Sequence, residues 1–194
     1  MEIPNFLESQ IRDGKVVIVL GAGASRNAKD QRGNNPPTAK ELGSLLSDKY
    51  LGGKHKDLPL NQIGEYAISE SDLITVQEYL REIFETYDPS HAHKLMCSFV
   101  WWGIATTNYD RLIERAYETV AQPLQIPIPF VENGDRVEDK RRDPRHVTLL
   151  KLHGCITRTT NHNVPLILTT EQYIEFRKGR SRIFDQLSGW GYER

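Results

Sequence analysis

The sequence predicts an α/β fold in which a parallel sheet carries helices on both faces. Three observations lead there. Val16 to Leu20 is an unbroken apolar run, the pattern of a strand buried on both faces, and it stops at Gly21-Ala22-Gly23-Ala24-Ser25. Ile104 to Thr107 repeats that logic, a short apolar strand followed by small polar residues and then a helical segment. Val147 to Leu152 is a third apolar run, closed by His153-Gly154. Helical periodicity fills the intervals, and alternation of this kind builds parallel sheets. Ligands of such sheets lie outside the carboxyl ends of the strands. The polar clusters at 21–26, 106–110 and 153–154 are therefore expected to converge.

The remaining elements follow in order. Residues 5–12 read as a short amphipathic helix on Phe6, Leu7 and Ile11, ended by Asp13-Gly14. Asn27 to Pro37 is a polar loop long enough to serve as a lid. Thr38 and Glu41 have capping-box spacing and open a helix carrying Leu42, Leu45 and Leu46, broken by Gly52-Gly53. Ile63, Tyr66 and Ala67 mark a second helix. Asp72 caps a third, with Leu73, Val76, Leu80, Ile83 and Phe84 on one face. Asp88-Pro89-Ser90 restarts the chain into a fourth helix with Leu95, Met96, Phe99 and Val100, so that about residues 38–100 form a helical insertion. Leu112, Ile113, Ala116, Tyr117 and Val120 keep helical register after the second strand. Pro123, Pro127 and Pro129 bracket an extended segment, and residues 132–146 read as an exposed loop of mixed charge. Val164 to Leu168 is expected to be a fourth strand. Thr169 and Gln172 then cap one final helix through Tyr173, Phe176, Ile183, Phe184 and Leu187.

Composition removes several function classes. A net charge of -1 gives no electrostatic case for nucleic acid or anionic membrane. The basic residues Arg136, Lys140, Arg141, Arg142 and Arg145 share their loop with Asp135, Glu138, Asp139 and Asp143, which fits a solvated loop. Cys97 and Cys155 are the only cysteines, too few for a disulfide framework or a zinc quartet, and they favour a reducing, cytoplasmic setting. The N-terminal residues lack a basic region and a long apolar run, so no signal peptide is expected. No apolar run approaches the roughly 20 residues of a membrane span.

The motifs narrow the chemistry further. Gly21 to Ser25 suits the close approach of an anion, or else merely a tight turn. Arg26 stands where a dehydrogenase fingerprint needs its third glycine, and no Gly-Lys-Ser/Thr P-loop is present. Asn108 and Asp110 at a strand end would hold a water, a ribose hydroxyl or an amide, or else cap the following helix. His153, between a strand and a glycine, is placed for general-base work near neutral pH, or else is a hydrogen-bonded core histidine. His91 and His93 begin a helix as capping or surface residues, and no histidine pair has metal-ligand spacing.

Taken in series, these motifs resemble the sirtuin superfamily. Gly21-Ala-Gly-Ala-Ser25 resembles its NAD-binding turn, and Thr106-Thr-Asn108-Tyr-Asp110 its Gln-Asn-Ile-Asp segment in the form of bacterial sirtuin-like domains. Lys151-Leu-His153-Gly154 resembles the catalytic-histidine segment, and Leu168 to Tyr173 a stretch common in those bacterial domains. The four-cysteine zinc module and the Pro-Asp-Phe-Arg segment of deacylating sirtuins are missing. That departure points to the zinc-free group resembling NAD hydrolases of prokaryotic antiphage defence. The resemblance implies a Rossmann-like sheet without a zinc module, in a domain spanning residues 1–194 that forms the N-terminal part of a longer protein, its C-terminal strands missing. It implies NAD as substrate, hydrolysed to nicotinamide and ADP-ribose. Asn108 and His153 would be catalytic, with Gly21, Ala22, Gly23, Ala24, Ser25, Arg26, Thr107 and Asp110 binding NAD. In this reading residues 21–25 hold the pyrophosphate, Asp110 takes the nicotinamide amide, and His153 acts on a ribose hydroxyl or water. A homo-oligomer, or a complex with another defence protein, is a further expectation, with no zinc, no membrane and no direct nucleic-acid contact. The other reading is a non-catalytic NAD- or ADP-ribose-sensing module that controls a partner.

Overall fold

The computed structural model describes residues 3–137, 143 and 145–192. Four parallel strands make one sheet in the order β1-β2-β4-β3: β1 Val17–Leu20, β2 Gly103–Thr106, β3 Ile126–Phe130 and β4 His146–Lys151. Nine helices surround it among the described residues: α1 Asn5–Arg12, α2 Ala22–Ser25, α3 Ala39–Tyr50, α4 Leu60–Glu70, α5 Leu73–Phe84, α6 His91–Met96, α7 Leu112–Thr119, α8 Thr170–Ile174 and α9 Ser181–Tyr192.

The period-2 geometry of the strands divides the core. Ile104, Val147 and Leu149 pack with Cys97, Trp101, Ile113, Ala116 and Tyr117, under α6 and α7. Ala105, Leu150, Ile128 and Phe130 face the other way and meet Ile183 and Trp190 of α9. Gly103 makes that second contact possible, because a Cβ there would lie 2.4 Å from the Trp190 ring. The insertion between β1 and β2 supplies α3 to α6. Leu42, Leu46, Ile63, Ala67, Val76 and Leu80 of α3, α4 and α5 bury together with Ile156, Leu166 and Leu168. Thr38, Asp72, Ser90 and Thr169 all accept a backbone N–H at helix starts, as their residue types require.

Several elements differ from expectation, each for a physical reason. β1 is an edge strand, so Val19 is 62% exposed and the run is not buried on both faces. The proline-bracketed segment is a genuine strand, β3, at the opposite edge. Ile126 N–H donates to the Arg145 carbonyl, and alternation turns Pro127 and Pro129 outward, where no ladder donor is needed. Val164 to Leu168 is buried but is not a strand. Its amides bond singly to other groups: Leu166 N–H to Gln77 Oε1, Ile167 N–H to the His153 carbonyl, and Leu168 N–H to Gln172 Oε1. The final helix is two, α8 and α9, separated by a turn in which Gly179 takes φ 68°. Residues 132–137 are tied down, since Arg158 pairs with Glu132 and Asp135 and Val137 is buried. Glu138, Asp139, Lys140, Arg141 and Arg142 lie outside the described residues.

Candidate active site

Register brings the three polar clusters together. Leu20 pairs with Thr106, and Thr106 with Lys151, so the three strands stop in one row. The next residues are Gly21, Thr107 and Leu152. A cleft of about 530 Å³ opens beyond this row, large enough for a dinucleotide fragment. Ala22, Gly23, Ser25, Arg26, Thr107, Asn108, Asp110 and His153 all line it. Gly21 sits just behind them, its carbonyl accepting from Asn108, and Ala24 is part of the same short helix α2.

The glycine turn is not explained by its own backbone or packing. Gly21 is extended, with φ -122° and ψ -169°. Gly23 has no positive φ, and a Cβ there would meet nothing within 4 Å. A tight turn is therefore not what requires glycine at 23. The space its missing side chain leaves is cleft space, open to the close approach of a ligand. α2 has four residues, too few for a sizeable macrodipole. The twelve-residue α3 contributes instead, since Thr38 and Ala39 at its N-terminus line the cleft.

From the cleft wall a hydrogen-bond chain runs inward and is buried at its Ser25–Asp110 end. Asn108 Nδ2 donates to the Gly21 carbonyl at 3.0 Å and to Ser25 Oγ at 2.8 Å. Ser25 Oγ donates to Asp110 Oδ2 at 2.8 Å, while Asp110 Oδ1 accepts the Leu112 N–H at 3.0 Å. Because a carbonyl only accepts, the Asn108 amide has one sensible orientation, and its Oδ1 is left to meet a ligand. Ser25 and Asp110 are both buried, and each Asp110 oxygen is already used once inside the protein. Asp110 thus caps α7 and anchors Ser25, while each oxygen retains a second lone pair. Beneath it, fully buried Lys151 donates from Nζ to the Asp110 carbonyl and lies 3.5 Å from Glu114 Oε1. Burial opposes the charge on Lys151, but the neighbouring Glu114, Cys155 and Asp110 outweigh it and raise its pKa.

His153 lies across the cleft. Its ring meets Tyr173 edge-on, with centroids 5.4 Å apart, and its carbonyl is fixed by the Ile167 N–H. Gly154 follows at φ 91°, a left-handed turn that a side chain would strain, and Arg180 packs against it. Burial first, and then the positive charge of Arg180, hold the His153 pKa below its ordinary value, so the imidazole is neutral near pH 7. Arg180 is itself buried, donates to the Pro165 carbonyl, and has its own pKa lowered to about 10, chiefly by burial.

Sequence reasoning missed the opposite wall. Leu42, Leu60 and Phe84 of the helical insertion line the cleft, together with Pro36, Pro37 and Tyr173. Helical spacing marks the leucines as apolar-face residues but does not say which of them face a ligand. Loop 27–37 is also more constrained than a free lid. Asp30 gathers the Arg32 and Asn34 amides, Asn35 bonds the Arg26 and Ala28 carbonyls, and Lys29 bridges to Asp88. His93 caps α6 as expected, yet it is buried, its Nδ1 accepting the Ser90 N–H; His91 is exposed.

In open parallel α/β sheets, a class whose ligands lie outside the carboxyl ends of the strands, this cleft is where a ligand is expected. Within that class, residues 103–189 match the family model of the SIR2-like domain. The match supports a sirtuin-like domain and fits an NAD-related function. It runs from β2 into α9 and so contains Asn108, Asp110 and His153, while the glycine turn precedes it. No curated protein matches the chain. Among the described residues no group of three or more His, Cys, Asp or Glu is placed to hold a metal ion, and no helix is long and apolar enough to cross a membrane.

Proposed function

We propose that the protein cleaves the nicotinamide–ribose bond of NAD with water as acceptor, releasing nicotinamide and ADP-ribose, as an effector of prokaryotic antiphage defence. The observation that carries the chemistry is the single cleft that gathers Gly23, Asn108 and His153 from the ends of three neighbouring strands. Nicotinamide is a cationic leaving group, so the transition state resembles an oxocarbenium ion, and catalysis depends on orientation and charge placement. Residues 21–25, with Arg26 and the N-terminal end of α3, bind the pyrophosphate. Asn108 Oδ1 accepts from a ribose hydroxyl or from the attacking water. Neutral His153 takes the proton from that hydroxyl or water. Asp110 fixes Ser25, and through it Asn108, while offering its remaining lone pairs to the nicotinamide amide. The apolar wall of Leu42, Leu60 and Phe84 lowers the local dielectric around the reacting ribose.

The defence role draws on the zinc-free resemblance and on the absence of a cysteine quartet from the sequence. The test is to incubate the full-length protein with NAD and quantify free nicotinamide. Asn108→Ala and His153→Ala should each lower its release at least about a hundredfold. Undiminished release in both variants would overturn the assignments. Stoichiometric NAD binding without release would instead favour a sensing module that controls a partner.

A further inference from the structure

A base that takes a proton from a ribose hydroxyl or a water must be held within reach of it. A catalytic imidazole is ordinarily oriented by a hydrogen bond to its second ring nitrogen. Among the described residues neither ring nitrogen of His153 makes one. What the ring does meet is Tyr173, edge-on at 87° with centroids 5.4 Å apart, inside the range of favourable T-shaped pairs. Tyr173 lines the cleft and is 48% exposed, and its hydroxyl has no hydrogen-bond partner among the described residues. Neither core burial nor a hydrogen bond of its own accounts for an aromatic ring at that place. The segment that carries it is nonetheless firmly set. α8 is five residues long and buries none of them, so its bonds fix its position. Thr169 and Gln172 close its first turn, and Gln172 Oε1 also accepts the Leu168 N–H. Thr170 ties it to α4: Asn61 Nδ2 donates to Thr170 Oγ1, and the Thr170 N–H donates to Glu65 Oε1, both at 2.8 Å. Leu168 packs on Gly64 of the same helix, where a Cβ would lie 2.7 Å from it. The helical insertion thus sets where α8 sits, and α8 sets where the Tyr173 ring meets His153.

We propose that Tyr173 is a positioning residue whose ring, edge-on against His153, holds the imidazole in the orientation in which it acts as the base. The role rests on the assignment of His153 as the base for NAD hydrolysis, while the holding of the ring can be measured without NAD. The aromatic ring of Tyr173 does this, and its hydroxyl is not needed.

The experiment compares Tyr173→Ala and Tyr173→Phe with wild type in the full-length protein. Nicotinamide release at varied NAD gives kcat and KM. Carbon-13 relaxation of the His153 ring, its signal identified by its loss in His153→Ala, gives the order of the ring in the absence of NAD. Tyr173→Ala should lower kcat at least about tenfold and leave KM within about threefold. Its His153 order parameter should fall from about 0.85 to below about 0.6. Tyr173→Phe keeps the aromatic ring and should restore both kcat and the order parameter. Both variants should match wild type in circular dichroism, since Tyr173 is half exposed. An unchanged order parameter in Tyr173→Ala overturns the proposal. So does a raised KM at unchanged kcat, which would make Tyr173 a wall for the substrate, or a loss in Tyr173→Phe equal to that in Tyr173→Ala. If wild type itself releases no nicotinamide, the hydrolase reading fails, and the relaxation measurement still decides whether Tyr173 holds the ring.

Discussion

Replacing Ser25 by alanine removes the hydroxyl that joins Asn108 to Asp110. The two bonds lost are both 2.8 Å long, and both Ser25 and Asp110 are buried, so water does not readily replace them. A hydrogen bond to an ionised acceptor contributes about 1.5–3 kcal/mol and a neutral one about 0.5–1.5 kcal/mol. Asn108 keeps its bond to the Gly21 carbonyl and Asp110 keeps the Leu112 N–H, which limits the loss. The expected destabilisation is about 2–4 kcal/mol in urea unfolding. For a chain of this length that is a fall in Tm of about 4–16 °C. A double-mutant cycle with Asn108→Ala should show coupling of about 0.5–1.5 kcal/mol, because the two residues share one of the bonds. A Ser25→Ala protein within about 0.5 kcal/mol of wild type, and additive with Asn108→Ala, would refute the chain.

Other consequences are separable. Gly23→Ala should leave stability unchanged or raise it by up to about 1 kcal/mol, since alanine fits the helix and its Cβ meets nothing; NAD affinity by calorimetry should nonetheless fall at least about tenfold. His153 has its pKa lowered by burial and by Arg180, so the base form persists as pH falls through 6.5. The acid limb of kcat/KM for NAD should therefore lie below pH 6.5, and a limb at or above 6.5 would contradict a neutral buried base. Lys151→Met strands the Glu114 carboxylate and should cost about 3–5 kcal/mol in urea unfolding, with much of the loss recovered in Lys151→Met/Glu114→Gln. Cys97 is buried, and burial pushes its thiol pKa up to about 11, so it should resist alkylation by iodoacetamide at pH 8 until the protein unfolds.

How much of this was legible in the sequence depends on which force set each element. β2 and β4 declare themselves because a central parallel strand needs an apolar run and little else, and β1 carries the same kind of run although it lies at an edge. Helix starts were legible because Thr38, Asp72, Ser90 and Thr169 act on amides three residues away. β3 was obscured by Pro127 and Pro129, whose effect reverses once the strand is known to lie at an edge. Val164 to Leu168 misled because burial alone does not make a strand; its amides go singly to Gln77, His153 and Gln172, partners that the apolar run itself does not announce. At the candidate site, the strand-end rule located Asn108, Asp110 and His153. The links between them were not legible. Ser25 and Asp110 are 85 residues apart, and Lys151 reads as one more residue of a strand until its burial beneath Asp110 is seen.

The central claim is that water, acting at this cleft, takes the place of nicotinamide on the ribose of NAD. The direct measurement is product stoichiometry after incubating the full-length protein with NAD in oxygen-18 water. The account predicts nicotinamide and ADP-ribose in equal amounts, with one labelled oxygen on the ADP-ribose. Nicotinamide released without labelled ADP-ribose, or NAD bound and recovered intact, would contradict it.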